Sequence, residues 1–318
     1  MFGAEESNTV ATLKLDQVLE KVKELPTLPD IIFKVNEVVN NPTTSAADLE
    51  QVISRDQAIA AKVLRLVNSA FYGLPGRVDT LSRAIPLLGF STVRNLVMSL
   101  TILDITEISG FDMKTFWKHS FATSTIARAI CTADELPDAE SQSLAGLLHD
   151  MGKVILFKHF PKEYKHVVEI MEKKNIPFVQ VERSLYDIDH AQVGDLLAEK
   201  WGFPPNIRAA IAWHHNPEPA GDLADFAAIT ATANVLAQPF EEHYMAEQGY
   251  DEMVEATEGF HPLSKKAYQH VMKELGRQMQ FFENFIDRME VFRRPSPLVE
   301  EELSRAKGES SIWKLPKK

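Results

Sequence analysis

Apolar residues recur at three- and four-residue spacing along nearly all of this 318-residue chain, and the alternation that marks a half-buried strand is almost absent. That regularity confines the fold to the all-α class. Ile31, Val35, Val38 and Val39 share one helical face, which stops at Asn40-Asn41-Pro42. Ser45-Ala46-Ala47-Asp48 reads as a capping box that opens a helix burying Leu49, Val52 and Ile53. A third helix after Asp56 carries Ile59, Val63, Leu66 and Val67. It ends at Asn68-Ser69-Ala70-Phe71-Tyr72, ahead of the turn Gly73-Leu74-Pro75-Gly76. Helices over about 79–88 and 91–103 are separated by Gly89, and Pro86 is expected to kink or shorten the first.

Ser109-Gly110-Phe111-Asp112 is the clearest internal boundary. It divides the chain into an N-terminal arm (1–14), an N-terminal helical subdomain (15–110), a helical bundle (111–290) and a C-terminal tail (291–318) that ends basic. Behind the boundary, residues 113–133 read as one long helix with His119 on the side shared by Ile126, Ala127 and Ile130. Asp138 is the expected N-cap of a helix that delivers His149 and Asp150 just before Gly152, and Asp187 or Asp189 caps the helix that begins near His190. Ile207, Ala210 and Ile211 lead to His214 and His215, and Phe226, Ile229, Ala233 and Leu236 pattern a helix containing Asn234. The acidic stretch 239–261 reads as a loop, and a last long helix carries Ala267, Val271, Leu275, Phe282, Phe285 and Ile286.

Charge and cysteine content narrow the function classes. A formal net charge of -11 disfavours nonspecific attraction to nucleic acid or acidic membranes. Cys131 is the only cysteine, so no disulfide can form within the chain. Residues 1–10 contain Glu5 and Glu6 and lack the pattern of a signal peptide. No apolar run approaches the roughly 18 residues of a spanning helix. A cytoplasmic location is the expectation.

Against this background one ordered series stands out: His119, the pair His149-Asp150, His190, and the pair His214-His215, five of the ten histidines in the chain. Neutral imidazole suits transition metals, and a carboxylate set among imidazoles can bridge two of them. Separate helices each contribute a ligand or ligand pair, which is how helical bundles build interior metal sites. By ligand type one or two ions of iron, zinc, manganese or nickel would fit. Lys153, one turn beyond Asp150, could hold a phosphate beside the metals by charge.

His149-Asp150-Met151-Gly152-Lys153 resembles the signature of the HD superfamily of helical metal-dependent phosphohydrolases and their inactive relatives. His119-Ser120, the His190 to Gly194 spacing and the His214-His215 doublet look like successive ligand positions of the branch that includes the HD-GYP phosphodiesterases. In the first half, Leu25-Pro26-Thr27-Leu28-Pro29, Arg55-Asp56, the Leu66 to Tyr72 run, Ala84-Ile85, Leu88-Gly89 and Arg94-Asn95 together resemble an HDOD domain, over about 15–236. Asn68-Ser69-Ala70-Phe71-Tyr72 also suits a plain helix C-terminus with Phe71 and Tyr72 in the core.

The resemblance implies an HD-superfamily helical bundle carrying an N-terminal helical subdomain, and a bacterial signalling or regulatory role exercised through partner proteins or a phosphate-containing ligand. The alternative it implies is a metal-dependent phosphohydrolase, phosphodiesterase or phosphomonoesterase, with Asp150 and Lys153 as candidate catalytic residues. Two departures favour the regulatory expectation. Ala233-Asn234-Val235 stands where the catalytic relatives have a final aspartate ligand, so Asn234 is a weakened metal position. Asn216-Pro217-Glu218-Pro219-Ala220-Gly221 contains no Gly-Tyr-Pro, which argues against cyclic di-GMP hydrolysis. Neither nucleic acid nor membrane is an expected partner, and the oligomeric state is left open.

Overall fold

The computed structural model describes residues 13–25, 28–67, 78–105, 111–238 and 250–287. Among them every regular element is helical, as the periodicity predicts. The N-terminal part comprises α1 (Leu15–Glu24), α2 (Asp30–Asn40), α3 (Ala46–Ile53), α4 (Gln57–Val67), α5 (Leu81–Leu88) and α6 (Phe90–Ile105). There follow α7 (Met113–Ala133), α8 (Ala139–Leu148), α9 (Met151–His159), α10 (Pro161–Lys174) and α11 (Phe178–Leu185). The remainder is α12 (His190–Lys200), α13 (Pro205–Trp213), a 3₁₀ segment (Glu218–Leu223), α14 (Ala224–Ala237), α15 (Tyr250–Ala256) and α16 (Lys265–Asp287).

Local chemistry sets most of these boundaries. Ser45 and Asp48 form the expected reciprocal box at the start of α3. Asp112 opens α7 by accepting from the amides of Lys114 and Thr115. Asp189, rather than Asp187, caps α12, in a box with Gln192. Asp138 does not act as expected: it stands before α8 in the left-handed region at φ 62°, and its side chain makes no capping bond. Pro86 lies inside α5, which stops two residues later at Leu88. Gly89 takes φ 84° at the break, and α5 and α6 meet there at 110°.

The stretch expected to be a loop over 239–261 contains a helix, α15. Met253 is buried, and the Tyr250 hydroxyl donates to the Leu263 carbonyl, so two anchors hold this short acidic helix that its composition disguises. Residues 239–249 lie outside the described residues, as do the Asn68 to Tyr72 motif, the Ser109-Gly110 boundary and the tail.

The long helix α7 is the axis of the bundle and packs against α8, α14 and α16, with Phe121 stacked on Phe282 at 4.0 Å between ring centroids. On the far side α12 lies between α9 and α13. α6 packs on α2, α4, α5 and α8, and its apolar residues join those of α2 to α5 and of the bundle in one hydrophobic cluster. Among the described residues no single helix is long and apolar enough to cross a membrane.

Candidate metal centre

Three glycines let the helices carrying the site approach closely. A β-carbon on Gly146 would stand 2.9 Å from the Thr123 carbonyl oxygen, so α8 can lie against α7 only without one. Gly194 faces the Ile211 side chain in the same way, setting α12 against α13. Gly152 lies against the first turn of α12.

His149 and Asp150 fall at the joint between α8 and α9, not within one helix. The backbone leaves the helical region at Asp150 (φ -98°, ψ 7°), and both side chains turn to the same centre. His119 comes from α7, His190 from the first residue of α12, His214 and His215 from the end of α13, and Asn234 from α14. His119, His149, Asp150, His190, His214 and Asn234 are buried, and His215 is partly so.

The Asp150 carboxylate divides the group in two. Its Oδ1 is 3.2 Å from His190 Nε2 and 3.6 Å from His214 Nε2, and His215 Nε2 lies 2.9 Å from His190 Nε2. Its Oδ2 is 3.4 Å from His149 Nε2 and 3.7 Å from His119 Nε2, and it accepts from Lys153 Nζ at 2.7 Å. Asn234 Oδ1 sits 2.9 Å from His119 Nε2. All seven residues singled out in the sequence for metal binding therefore meet at one place, and Lys153 joins them. Lys153 faces Asp150, with its ammonium 5.2 Å from the centre of the Phe178 ring.

Hydrogen bonds on the outer edges of the rings fix which nitrogens face inward with a lone pair. His149 Nδ1 donates to the Gly146 carbonyl at 2.8 Å and His214 Nδ1 to the Ile211 carbonyl at 2.7 Å. His190 Nδ1 donates to Glu182 Oε2 at 2.5 Å. In the neutral form, the one that ligates, each of these rings presents an unprotonated Nε2 to the centre. The inward nitrogens crowd together, with His119 and His149 at 3.2 Å and His190 and His214 at 3.3 Å. Asp150 Oδ1, wholly buried beside them, accepts no well-aligned hydrogen bond. Crowded lone pairs around an anionic oxygen repel unless a cation lies among them. His119, His149 and Asp150 form one group suited to an ion, and His190, His214 and His215 another.

Burial, then the charge of His149, hold the His119 pKa down at about 3. Burial and neighbouring histidines do the same at His214, well below its usual value, and at His215, pushed to about 2. Neutral imidazole is the ligating form. Burial works to raise Asp150, but His149 and Lys153 overcome it and keep the carboxyl ionised. His190 is the exception: burial pulls it down, yet the Glu182 carboxylate wins and lifts it to about 9.

Glu182 escapes sequence reasoning. It is fully buried on α11, receives the Tyr164 hydroxyl at 2.5 Å and the His190 backbone amide at 3.2 Å, and orients the His190 ring. Such a carboxylate behind a ligating histidine raises its basicity and fixes its tautomer.

The family model of the HDOD domain matches residues 25–217, well over half of the chain. The chain belongs to the HDOD family. Among curated relatives, an uncharacterized protein of Treponema pallidum (strain Nichols) is 27% identical over 233 residues, covering 72% of this HDOD chain and 45% of that protein. The chain thus spans less than half of that relative's length. Among solved structures, an HDOD domain protein of unknown function from Geobacter sulfurreducens superposes with a TM-score of 0.62 at 24% identity, covering 91% of this chain and 99% of that one. A presumptive signal transduction protein from Marinobacter aquaeolei VT8 gives 0.68 at 24%, covering 89% and 63%. A presumptive phosphohydrolase from Shewanella amazonensis SB2B gives 0.64 at 24%, covering 87% and 98%. At these identities the likeness establishes the HDOD fold.

Proposed function

We propose that this HDOD protein is a metal-binding regulatory module that acts through contacts with signalling proteins. The observation that carries the metal is Asp150 dividing its two oxygens between two groups of inward-facing imidazoles. His190, His214 and His215 with Asp150 Oδ1 form the better site, since all four are groups that ligate well. His119, His149 and Asp150 Oδ2 form the poorer one, because its further neighbour is the uncharged amide of Asn234. A transition metal held there would supply Lewis acidity. What the chain itself supplies is orientation: Glu182 holds His190, backbone carbonyls hold His149 and His214, and Lys153 balances the charge of Asp150.

The second reading is a phosphohydrolase, favoured by the retention of a near-complete ligand set around a lysine that could pair with a phosphoryl group. Deep burial of the ligands and the amide at Asn234 favour the regulatory reading. Elemental analysis of the purified protein, followed by a screen against generic phosphoesters, separates the two. One bound ion per chain with negligible turnover supports the regulatory module. Turnover at roughly 1 per second or faster identifies an enzyme. A protein that holds no transition metal, and gains no thermal stability from added iron, zinc, manganese or nickel, overturns both.

A further inference from the structure

We infer that the seam between the N-terminal helices and the bundle is a second binding site, separate from the metal centre, for a small organic anion bearing one phosphoryl or carboxylate group on a hydrogen-bonding body. Two cavities of about 230 and 440 Å3 adjoin there and share Ser91, Thr92, Arg128 and Gln278 in their walls. The larger lies in the roughly 300–1,000 Å3 range of small-molecule sites. Its walls come from the turn after α2, the start of α6, α7, α8 and α16, so an occupant would touch both parts of the chain.

The charges at this seam do not balance. Glu140 accepts hydrogen bonds from Arg128 Nε at 2.9 Å and the Ser91 hydroxyl at 2.5 Å, and it forms an ion pair with Arg94, whose Nη1 stands 3.4 Å away. Arg94 is completely buried, and that Nη1 makes no hydrogen bond. Arg277, which also lines the larger cavity, is paired with Glu274 at 2.7 Å and cancels. Two guanidinium groups therefore share one carboxylate, which leaves one positive charge in excess at the seam among the described residues. One anionic group on a ligand would restore neutrality.

The rest of the lining fits the body of such a ligand. Gly89, Phe90, Ser91 and Thr92 place the first turn of α6 at the cavity, where backbone N–H groups lack helical acceptors and favour an anion. Arg128 uses only its Nε on Glu140 among the described residues, leaving the terminal nitrogens for a bidentate contact with an oxyanion. Gln278, whose Oε1 lies 3.3 Å from the Thr92 hydroxyl, adds an amide to both cavities, while Asn95 and Ser143 in the wall of the smaller one are hydrogen-bonded to each other and to Ser124.

The test is isothermal titration of the metal-stripped, full-length chain with inorganic phosphate, adenosine monophosphate and gluconate. At least one probe is expected to bind saturably, at least about tenfold more weakly to Arg128→Gln and to Gln278→Glu, each first shown to be folded. His149→Ala, which disrupts the metal centre, should bind it as the wild type does. Binding of the two phosphates assigns a phosphoryl ligand, and binding of gluconate alone a carboxylate; both support the site. Dissociation constants weaker than about 1 mM for all three probes overturn it. So does binding that Arg128→Gln and Gln278→Glu leave unchanged, or binding that His149→Ala abolishes.

Discussion

A β-carbon on Gly152 would stand 1.9 Å from the carbonyl oxygen of His190, closer than any real contact allows. The obstacle is backbone, not a flexible side chain, so α9 and α12 can meet here only through a glycine. Gly152→Ala is expected to cost about 3 kcal/mol or more in a denaturant titration, the upper end for overpacking, and to lower metal content because Asp150 and His190 are pushed apart. A variant within about 0.5 kcal/mol of wild type would show that the two helices are not so tightly registered.

Replacing Glu182 by glutamine keeps the shape and removes the charge behind His190. Metal affinity is expected to fall by about 10- to 100-fold, the usual consequence of losing such a carboxylate, while the far-ultraviolet spectrum stays that of the wild type. Unchanged affinity by competition with a chelating dye would mean that His190 is not a ligand.

The metal-free protein should be acid-labile. Burial holds His119 at about 3, His215 at about 2 and His214 well below its ordinary value, against about 6.5 in the unfolded chain. The unfolded state therefore binds more protons as pH falls, and the stability these groups allow is full above pH 6.5 and lost below it. His190, raised to about 9, is protonated in both states below 6.5 and costs stability only on the alkaline side. Denaturation in the presence of a chelator should show stability falling by about 1 kcal/mol or more per pH unit from pH 6 to 5. A flat profile there would mean that these histidines are not buried.

Asn234→Asp adds an anionic oxygen beside His119. The expected result is occupancy rising toward two ions, with any weak phosphoesterase activity rising alongside, measured by elemental analysis and phosphoester turnover. If neither changes, Asn234 does not contribute to the second position.

Lys200, on α12, donates to the carbonyls of Val22, Lys23 and Leu25 at the end of α1. Lys200→Met keeps the stem and removes these bonds, which should cost about 2 kcal/mol by thermal or chemical denaturation. No measurable loss would show that α1 is held by its apolar face alone.

The histidines were legible in the sequence because their types are uncommon and ordered, and because helix boundaries follow from caps and prolines that a reader can see. The order alone points to His119, His149, Asp150, His190, His214 and His215, Asn234 enters only through the family resemblance, and the α-helical class follows from spacing alone. Glu182 was not legible. Eight residues before His190 and on another helix, it looks like any solvated glutamate until α11 folds it inward. α15 was missed because its acidic composition hides the two anchors, Tyr250 and Met253, and Asp138 because a side chain suited to capping says nothing about the left-handed backbone that carries it.

The line from Tyr164 through Glu182 to His190 joins a surface helix to the metal centre by hydrogen bonds. Tyr164 lies on α10 and Glu182 on α11, two helices that pack on each other and contribute no ligand of their own, and the opposite face of α10 is exposed. A partner that levered this hairpin outward would withdraw the carboxylate from His190 without touching the centre. Pressure on a surface helix would then arrive in the interior as a change in the affinity of one imidazole.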